Sequence, residues 1–240
     1  DAEHFFDGYA GDRAYALEAV RAAAEAGAEV IALCDTNGGM LPTQVADVVA
    51  DVVAATGARI GIHCHNDTGC AVANSMAAID AGASHVQGTI NGYGERTGNA
   101  NLVTVVANLQ IKQVRELIDP HRLAEATRIS HAISEITNVT PYSRQPYTGS
   151  SAFAHKAGLH ASAIKVDPDL YQHTDPTSVG NDMRMLVSDM AGRASIELKS
   201  RELGVHLDGA KAEDAATVAD ILATVKELEL RGYTFDAADA

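Results

Sequence analysis

Positive charge is scarce in this chain. Against 32 acidic residues it carries only 18 lysines and arginines, a formal net charge of -14 over 240 residues. A pI near 5.0 repels polyphosphate, which argues against nucleic acid as a partner. Long apolar runs are missing too. None approaches the roughly 20 residues that span a bilayer, so no membrane is expected. No secretory leader stands at the front, and the first residue is not Met. The chain opens on Asp1-Ala2-Glu3-His4-Phe5-Phe6, like a strand whose predecessor has been cut away. Cysteine is sparse. Cys34, Cys64 and Cys70 are an odd number without zinc-knuckle spacing, which predicts reduced thiols in a cytoplasmic protein. No Gly-x-Gly-x-x-Gly follows a first strand, so a dinucleotide fold has no positive support. What is present is ordinary for a folded soluble protein: 46% apolar and 21% charged residues, ample for a hydrophobic core.

One pattern recurs in the first half. Ala22 to Gly27 leads into Glu29 to Cys34, Val52 to Gly57 into Arg59 to His63, and Met76 to Gly82 into Ser84 to Ile90. Each is an Ala-rich helix end, a glycine suited to the left-handed position beyond it, and a short apolar strand. Gly27, Gly57 and Gly82 lie 30 and 25 residues apart, one α/β unit each. Tyr15, Leu17 and Val20, then Val45, Val48, Val49 and Val52, follow helical spacing. The continuous apolar strands read as parallel strands covered by helices. With a strand stub at Glu3 to Phe6, this half predicts an open doubly wound sheet or part of a (β/α)8 barrel. A whole barrel takes roughly 250 residues, so a barrel reading implies a missing first half.

The second half changes character. Asp119-Pro120 is a good helix start, and apolar residues from Leu123 to Ile136 predict one amphipathic helix. Residues 138–152, rich in Pro, Ser, Tyr and Gly, predict an extended linker. A short helix is expected over His155 to Ile164, and two more near 194–203 and 211–231. The expected division is residues 1–116 for the barrel portion and 117–240 for a linker with helical subdomains.

Polar residues gather after the apolar strands, where α/β folds place chemistry. His63 and His65 are the sharpest pair. Residues i and i+2 of a strand point to one face, so two imidazoles there can share one divalent metal. Two histidines are an incomplete site; at least one more ligand is required, usually a carboxylate. Asp35 is a candidate, and a helix cap is an equally good role for it. Asp67 is expected to cap the helix after it. Glu95-Arg96, in the Gly-rich run Gly92 to Asn99, reads by itself as a surface ion pair or as part of a phosphate-binding turn. His155, Lys156 and His160 read by themselves as a solvated face.

Taken together, three segments resemble one family. They are Leu33-Cys34-Asp35-Thr36-Asn37-Gly38-Gly39, His63-Cys64-His65-Asn66-Asp67-Thr68-Gly69, and Gly88-Thr89-Ile90-Asn91-Gly92-Tyr93-Gly94-Glu95-Arg96-Thr97-Gly98-Asn99-Ala100-Asn101-Leu102. They resemble the 2-isopropylmalate, homocitrate and citramalate synthases, most closely the citramalate branch, from residue 1 to about 200. The resemblance implies the C-terminal half of a (β/α)8 TIM barrel, entered at the fifth strand, followed by small helical subdomains that reach over a partner subunit's active site. It implies a divalent metal, zinc, manganese or magnesium, held by His63 and His65 with Asn99 close by and an Arg-Asp motif lying upstream of residue 1. Thr36 matches a residue that contacts the oxo acid carboxylate, and Glu95 and Arg96 fall in the substrate-binding loop. Glu3 matches a glutamate for proton transfer. His160 and Tyr171 match the pair contributed by the helical subdomain.

The implied reaction condenses acetyl-CoA with a 2-oxo acid, pyruvate by branch likeness, and then hydrolyses the thioester. Its place would be isoleucine and leucine biosynthesis, in a cytoplasmic homodimer. With part of the site upstream, the chain alone is expected to be inactive. Three other readings stand beside this one: 2-isopropylmalate or homocitrate synthesis, a metal-dependent aldolase or lyase on the same scaffold, and a fragment without chemistry.

Overall fold

A computed structural model describes residues 1–155, 158–186, 192–208 and 210–233. The chain forms two compact units. One comprises Asp1–Ile118 with Ser130–Val139, the other Asp119–Ile129 with Thr140–Ala240.

The first unit alternates helix and strand. Its elements are α1 (Phe5–Gly11), α2 (Arg13–Glu25), β1 (Ile31–Asp35), α3 (Pro42–Thr56), β2 (Ile60–Cys64), α4 (Ala71–Asp80), β3 (His85–Gln87) and α5 (Leu102–Ala107). Local chemistry sets the helix ends. The Asp12 carboxylate accepts from the Tyr15 N–H at the start of α2, and Pro42 opens α3. Gly27, Gly57 and Gly82 have φ of +97°, +63° and +114°, the left-handed turn anticipated after each Ala-rich helix. The three strands are parallel and lie in chain order, β1-β2-β3. Ala2 and Thr89 extend this order through single parallel bridges, to Leu33 and Asn101. Strands that follow one another side by side, each crossing over through a helix, make a partial (β/α) barrel. Its core packs Leu33, Ile60 and Ile62 against Val20, Val45 and Val49, all essentially inaccessible. Burying each such side chain contributes about 1.5–3 kcal/mol.

The strand stub at Glu3 to Phe6 is corrected. Ala2 alone pairs, donating to the Ala32 carbonyl and accepting from the Cys34 N–H. His4 then turns the chain at φ +53°, and Phe5 and Phe6 bury themselves as the first turn of α1. The third strand is also shorter than expected, ending at Gln87.

The second unit contains α6 (Pro120–Leu123), the start of α7 (Ala126–Thr137), β4 (Ala154–His155), α8 (Gly158–Val166), β5 (Arg184–Met185), α9 (Arg193–Glu202) and α10 (Ala212–Leu230). β4 and β5 pair in parallel. Ile196 of α9 and Val218 of α10 form a small core with Leu207, Ile221, Leu222 and Val225. The single helix expected from Asp119 to Ile136 is broken at Ala124–Glu125. The expected linker is a run of turns with Gln145, Tyr147 and Thr148 buried, and the Asn181 amide donates to the Tyr147 and Gly149 carbonyls. His155 lies in β4, ahead of the helix expected to include it. Lys156 lies outside the described residues. No helix among the described residues is long and apolar enough to cross a membrane.

Candidate active site at the strand ends

The loops after β1, β2 and β3 bring most of the anticipated residues of the first unit together. Behind β1, the Thr36 hydroxyl donates to the Glu3 carboxylate at 3.0 Å and accepts from the His4 N–H at 2.8 Å. The two residues matched to substrate carboxylate and proton transfer are therefore neighbours. Asp35 is buried, and both its oxygens are spent on the loop, accepting from the Gly39 and Met40 N–H groups. It caps that loop and not a helix, since α3 begins later, at Pro42. Burial raises its pKa, and the backbone donors offset part of the rise.

Behind β2, Asp67 departs from its expected role. Asn66 caps α4, its side-chain oxygen accepting from the Ala71 N–H at 3.1 Å. Asp67 instead takes two hydrogen bonds from Arg96, at 2.8 and 3.0 Å. The hydrogen bonds from Arg96 hold the Asp67 pKa below the usual carboxylate value. Arg96 also donates to the Thr36 carbonyl at 2.7 Å, so one guanidinium ties the loops after all three strands. Its neighbour Glu95 stands 3.9 Å away and is 85% exposed, so the adjacent pair is the weaker contact.

His63 and His65 lie on one face with ring centroids 5.3 Å apart. The His63 Nδ1 meets Gln87 Oε1 at 3.1 Å. The His65 Nδ1 is buried without a hydrogen-bond partner among the described residues, and so is Asn99 Oδ1. His65 and Asn99 are joined by a backbone bridge, and Asn99 Nδ2 donates to the Tyr93 carbonyl at 3.1 Å. Burial, then the charge of Arg96 and the proximity of His63, lower the His65 pKa and favour the neutral imidazole that a metal needs. A buried polar atom left unpaired costs about 1–3 kcal/mol, so these two atoms together are fitted to bind a ligand. Among the described residues, no three His, Cys, Asp or Glu stand together to hold a metal.

Two features escaped the sequence. Gln87 faces His63 from the next strand, and the Asn91 side chain grips α7 through the Ser130 carbonyl, at 2.9 Å, and the Ser130 and Ser134 hydroxyls. Both depend on pairing between distant segments. The only local hint was a glutamine closing a short strand. The three cysteines are free thiols, as read from the sequence. Burial pushes the Cys34 thiol up to about 11 and the Cys64 thiol higher still, so neither is a nucleophile.

In the second unit, His160 and Tyr171 stack with ring centroids 4.1 Å apart. His155 is not on a solvated face. Its Nε2 is buried without a partner among the described residues, and burial, then His160, lowers its pKa. A depressed histidine pKa adds stability above the unfolded value of about 6.5 that is lost as pH falls through the folded value. The thermal midpoint is therefore expected to fall as pH drops below about 6.5, with a shallower slope in His155→Gln. Equal slopes in the two proteins, measured by scanning calorimetry, would refute this assignment.

A family model described as HMGL-like matches residues 6–129, just over half of the chain. The chain belongs to the HMGL-like family. A second model, described as Homocitrate synthase post-HMGL domain-like, matches residues 147–229. Relatives of this HMGL-like chain include an (R)-citramalate synthase from Streptomyces coelicolor, 65% identical over 100% of this chain and 44% of that protein. Another from Synechocystis is 47% identical, over 100% of this chain and 45% of that protein. A probable 2-isopropylmalate synthase from Methanopyrus kandleri is 36% identical over 92% of this chain and 43% of its own length. The chain thus spans less than half the length of the curated relatives it matches.

Proposed function

We propose that the protein carrying this chain is an acyltransferase that condenses acetyl-CoA with pyruvate to give citramalate, in branched-chain amino acid biosynthesis. The observation that carries the reading is 65% identity to an (R)-citramalate synthase in an alignment that spans 100% of this chain. Residues 1–116 supply barrel strands, and residues 117–240 the linker and helical subdomains. The full-length protein acts as a cytoplasmic homodimer.

The donor set fits a divalent cation. Two imidazoles 5.3 Å apart and the unpaired oxygen of Asn99 offer nitrogen and oxygen ligands that suit zinc or manganese, with magnesium also possible. His63, His65 and Asn99 would hold the ion, with a further carboxylate from the Arg-Asp motif that the resemblance places upstream. When bound, such an ion supplies Lewis-acid polarisation of the ketone.

The chain's own residues do the rest. The Arg96 guanidinium donates to the oxo acid carboxylate, with Thr36 beside it in the loop after β1, and Glu95 lines the loop that carries Arg96. Glu3, oriented by its hydrogen bond from Thr36, accepts a proton from the acetyl methyl group. His160 and Tyr171, stacked on one another, are the further proton-handling pair. The new C–C bond forms as that C–H bond breaks, and the ketone C=O π bond opens onto its oxygen, which takes up a proton to become the tertiary hydroxyl. Water then cleaves the thioester, releasing CoA as free thiol.

The test is thiol release by the full-length protein with acetyl-CoA and each of three oxo acids. Turnover with pyruvate at least about tenfold better in kcat/KM than with 2-oxoisovalerate or 2-oxoglutarate is expected. A preference for either larger acid moves the protein to the isopropylmalate or homocitrate activity. C–C cleavage without any thiol release makes it a lyase.

A further inference from the structure

We propose that Gln87 is a positioning residue: it fixes the proton of His63 on Nδ1 and so leaves the Nε2 lone pair free for a divalent cation. This rests on the metal reading of His63 and His65 and deepens it.

A chain of hydrogen bonds runs from a carboxylate to a ring. Asp1 Oδ1 accepts from the Gln87 side-chain Nε2 at 2.8 Å. A carboxylate only accepts, so the amide must turn its NH2 toward Asp1. Its oxygen is then the atom facing His63, where Oε1 and Nδ1 lie 3.1 Å apart. An amide oxygen also only accepts, so Nδ1 must carry the hydrogen. A neutral imidazole protonated at Nδ1 presents a lone pair at Nε2. Each link permits one polarity, and together they choose one tautomer.

The sheet builds this relay in. His63 and Gln87 are direct register partners across the parallel β2–β3 pair, so the backbone fixes the distance their side chains must span. His65 has no such device, since its Nδ1 is buried without a partner among the described residues. The two imidazoles of the pair are therefore prepared differently. His63 is oriented in advance, whereas His65 gains its order from the ion. Residues that orient metal-binding histidines in this way typically change metal affinity by about 10- to 100-fold when removed.

The test uses the full-length, metal-free protein and cobalt(II) as the probe, with no substrate. Selective 15N-histidine NMR is expected to show His63 in the Nδ1–H form. Gln87→Leu, which cannot accept, is expected to weaken cobalt binding about 10- to 100-fold. Gln87→Glu combined with Asp1→Asn, which still accepts from Nδ1 and meets an amide donor in place of the Asp1 carboxylate, is expected to bind within about threefold of the parent, a rescue that mere packing would not give. Asp1→Ala, at an exposed position, frees the amide to flip and is expected to weaken binding by at least about threefold, even if Gln87→Leu does not fold. His63→Ala separates the two levels. If it binds cobalt like the parent, the metal reading itself fails. If it loses binding while Gln87→Leu and Asp1→Ala keep the parent's affinity, or if the NMR shows His63 in the Nε2–H form, the relay alone is overturned.

Discussion

Gly98→Ala is expected to lower the unfolding free energy by about 2–4 kcal/mol, far more than one methyl group on a loop would suggest. Gly98 sits at φ +92°, and a Cβ there would overlap the Gly92 carbonyl oxygen. That oxygen already accepts from the Asn99 N–H at 2.9 Å. The clash is with backbone, so no side chain can swing aside to relieve it. The consequences spread along hydrogen bonds. The Gly98 carbonyl accepts from the Asn66 N–H at 2.9 Å, and the Gly98 N–H donates to the Glu95 carbonyl at 2.8 Å. Asn66 in turn caps α4. A shift at Gly98 therefore moves Arg96, Asn99 and the cap together. Gly8→Ala is the control. Gly8 lies inside α1 with nothing within 4 Å of a new Cβ, so this change is expected to stabilise by about 0.5–1 kcal/mol. Urea denaturation of both variants checks the contrast. A Gly98→Ala midpoint equal to that of the parent would mean that the loop reshapes freely, and the tight coupling argued here would be lost.

What could be read from the sequence was whatever is encoded locally. The Ala-rich helix ends, the glycines at Gly27, Gly57 and Gly82, and the apolar strands each obey a short-range rule, and the structure follows them. His63 and His65 were legible because a strand puts i and i+2 on one face. The failures are non-local. Phe5 and Phe6 continue an apolar pattern, yet the last strand pairing ends at Ala2 and the chain turns there into a helix. Asp67 follows a helix-cap pattern, yet Arg96, 29 residues away, captures it and leaves the cap to Asn66. The break at Ala124 has no proline or glycine of its own. Gly180 approaches the Ala124 carbonyl so closely that a Cβ would overlap it, so the break is set by tertiary packing. Gln87 is the same lesson at the site. Its meaning appears only when β3 is laid in register beside β2.

The second large effect concerns those two imidazoles. His63→Ala and His65→Ala are each expected to lower kcat/KM for acetyl-CoA and pyruvate by at least about 100-fold in the full-length protein, about 2.7 kcal/mol of transition-state stabilisation. Asn99→Ala is expected to cost less, because an amide oxygen is a weaker donor than an imidazole and the loop still holds its backbone through the Gly92 carbonyl. The decisive quantity is the double variant. Under the proposed metal reading, two rings 5.3 Å apart would share one cation and form a single functional unit. Loss of either would then release the ion, and removing the second would add little. The double variant is then expected to fall within about tenfold of the worse single variant, the non-additivity typical of groups that act together. Two histidines acting separately, one as a base and one as a hydrogen-bond donor, would instead multiply their losses to about 10,000-fold or more. Metal content measured on the same four proteins separates the cases independently. Sharing predicts that both single variants lose the ion together with activity, whereas separate roles predict activity lost with the ion retained. A multiplicative double variant with full metal content would sink the shared-cation account, even if every variant folds and every rate falls as forecast.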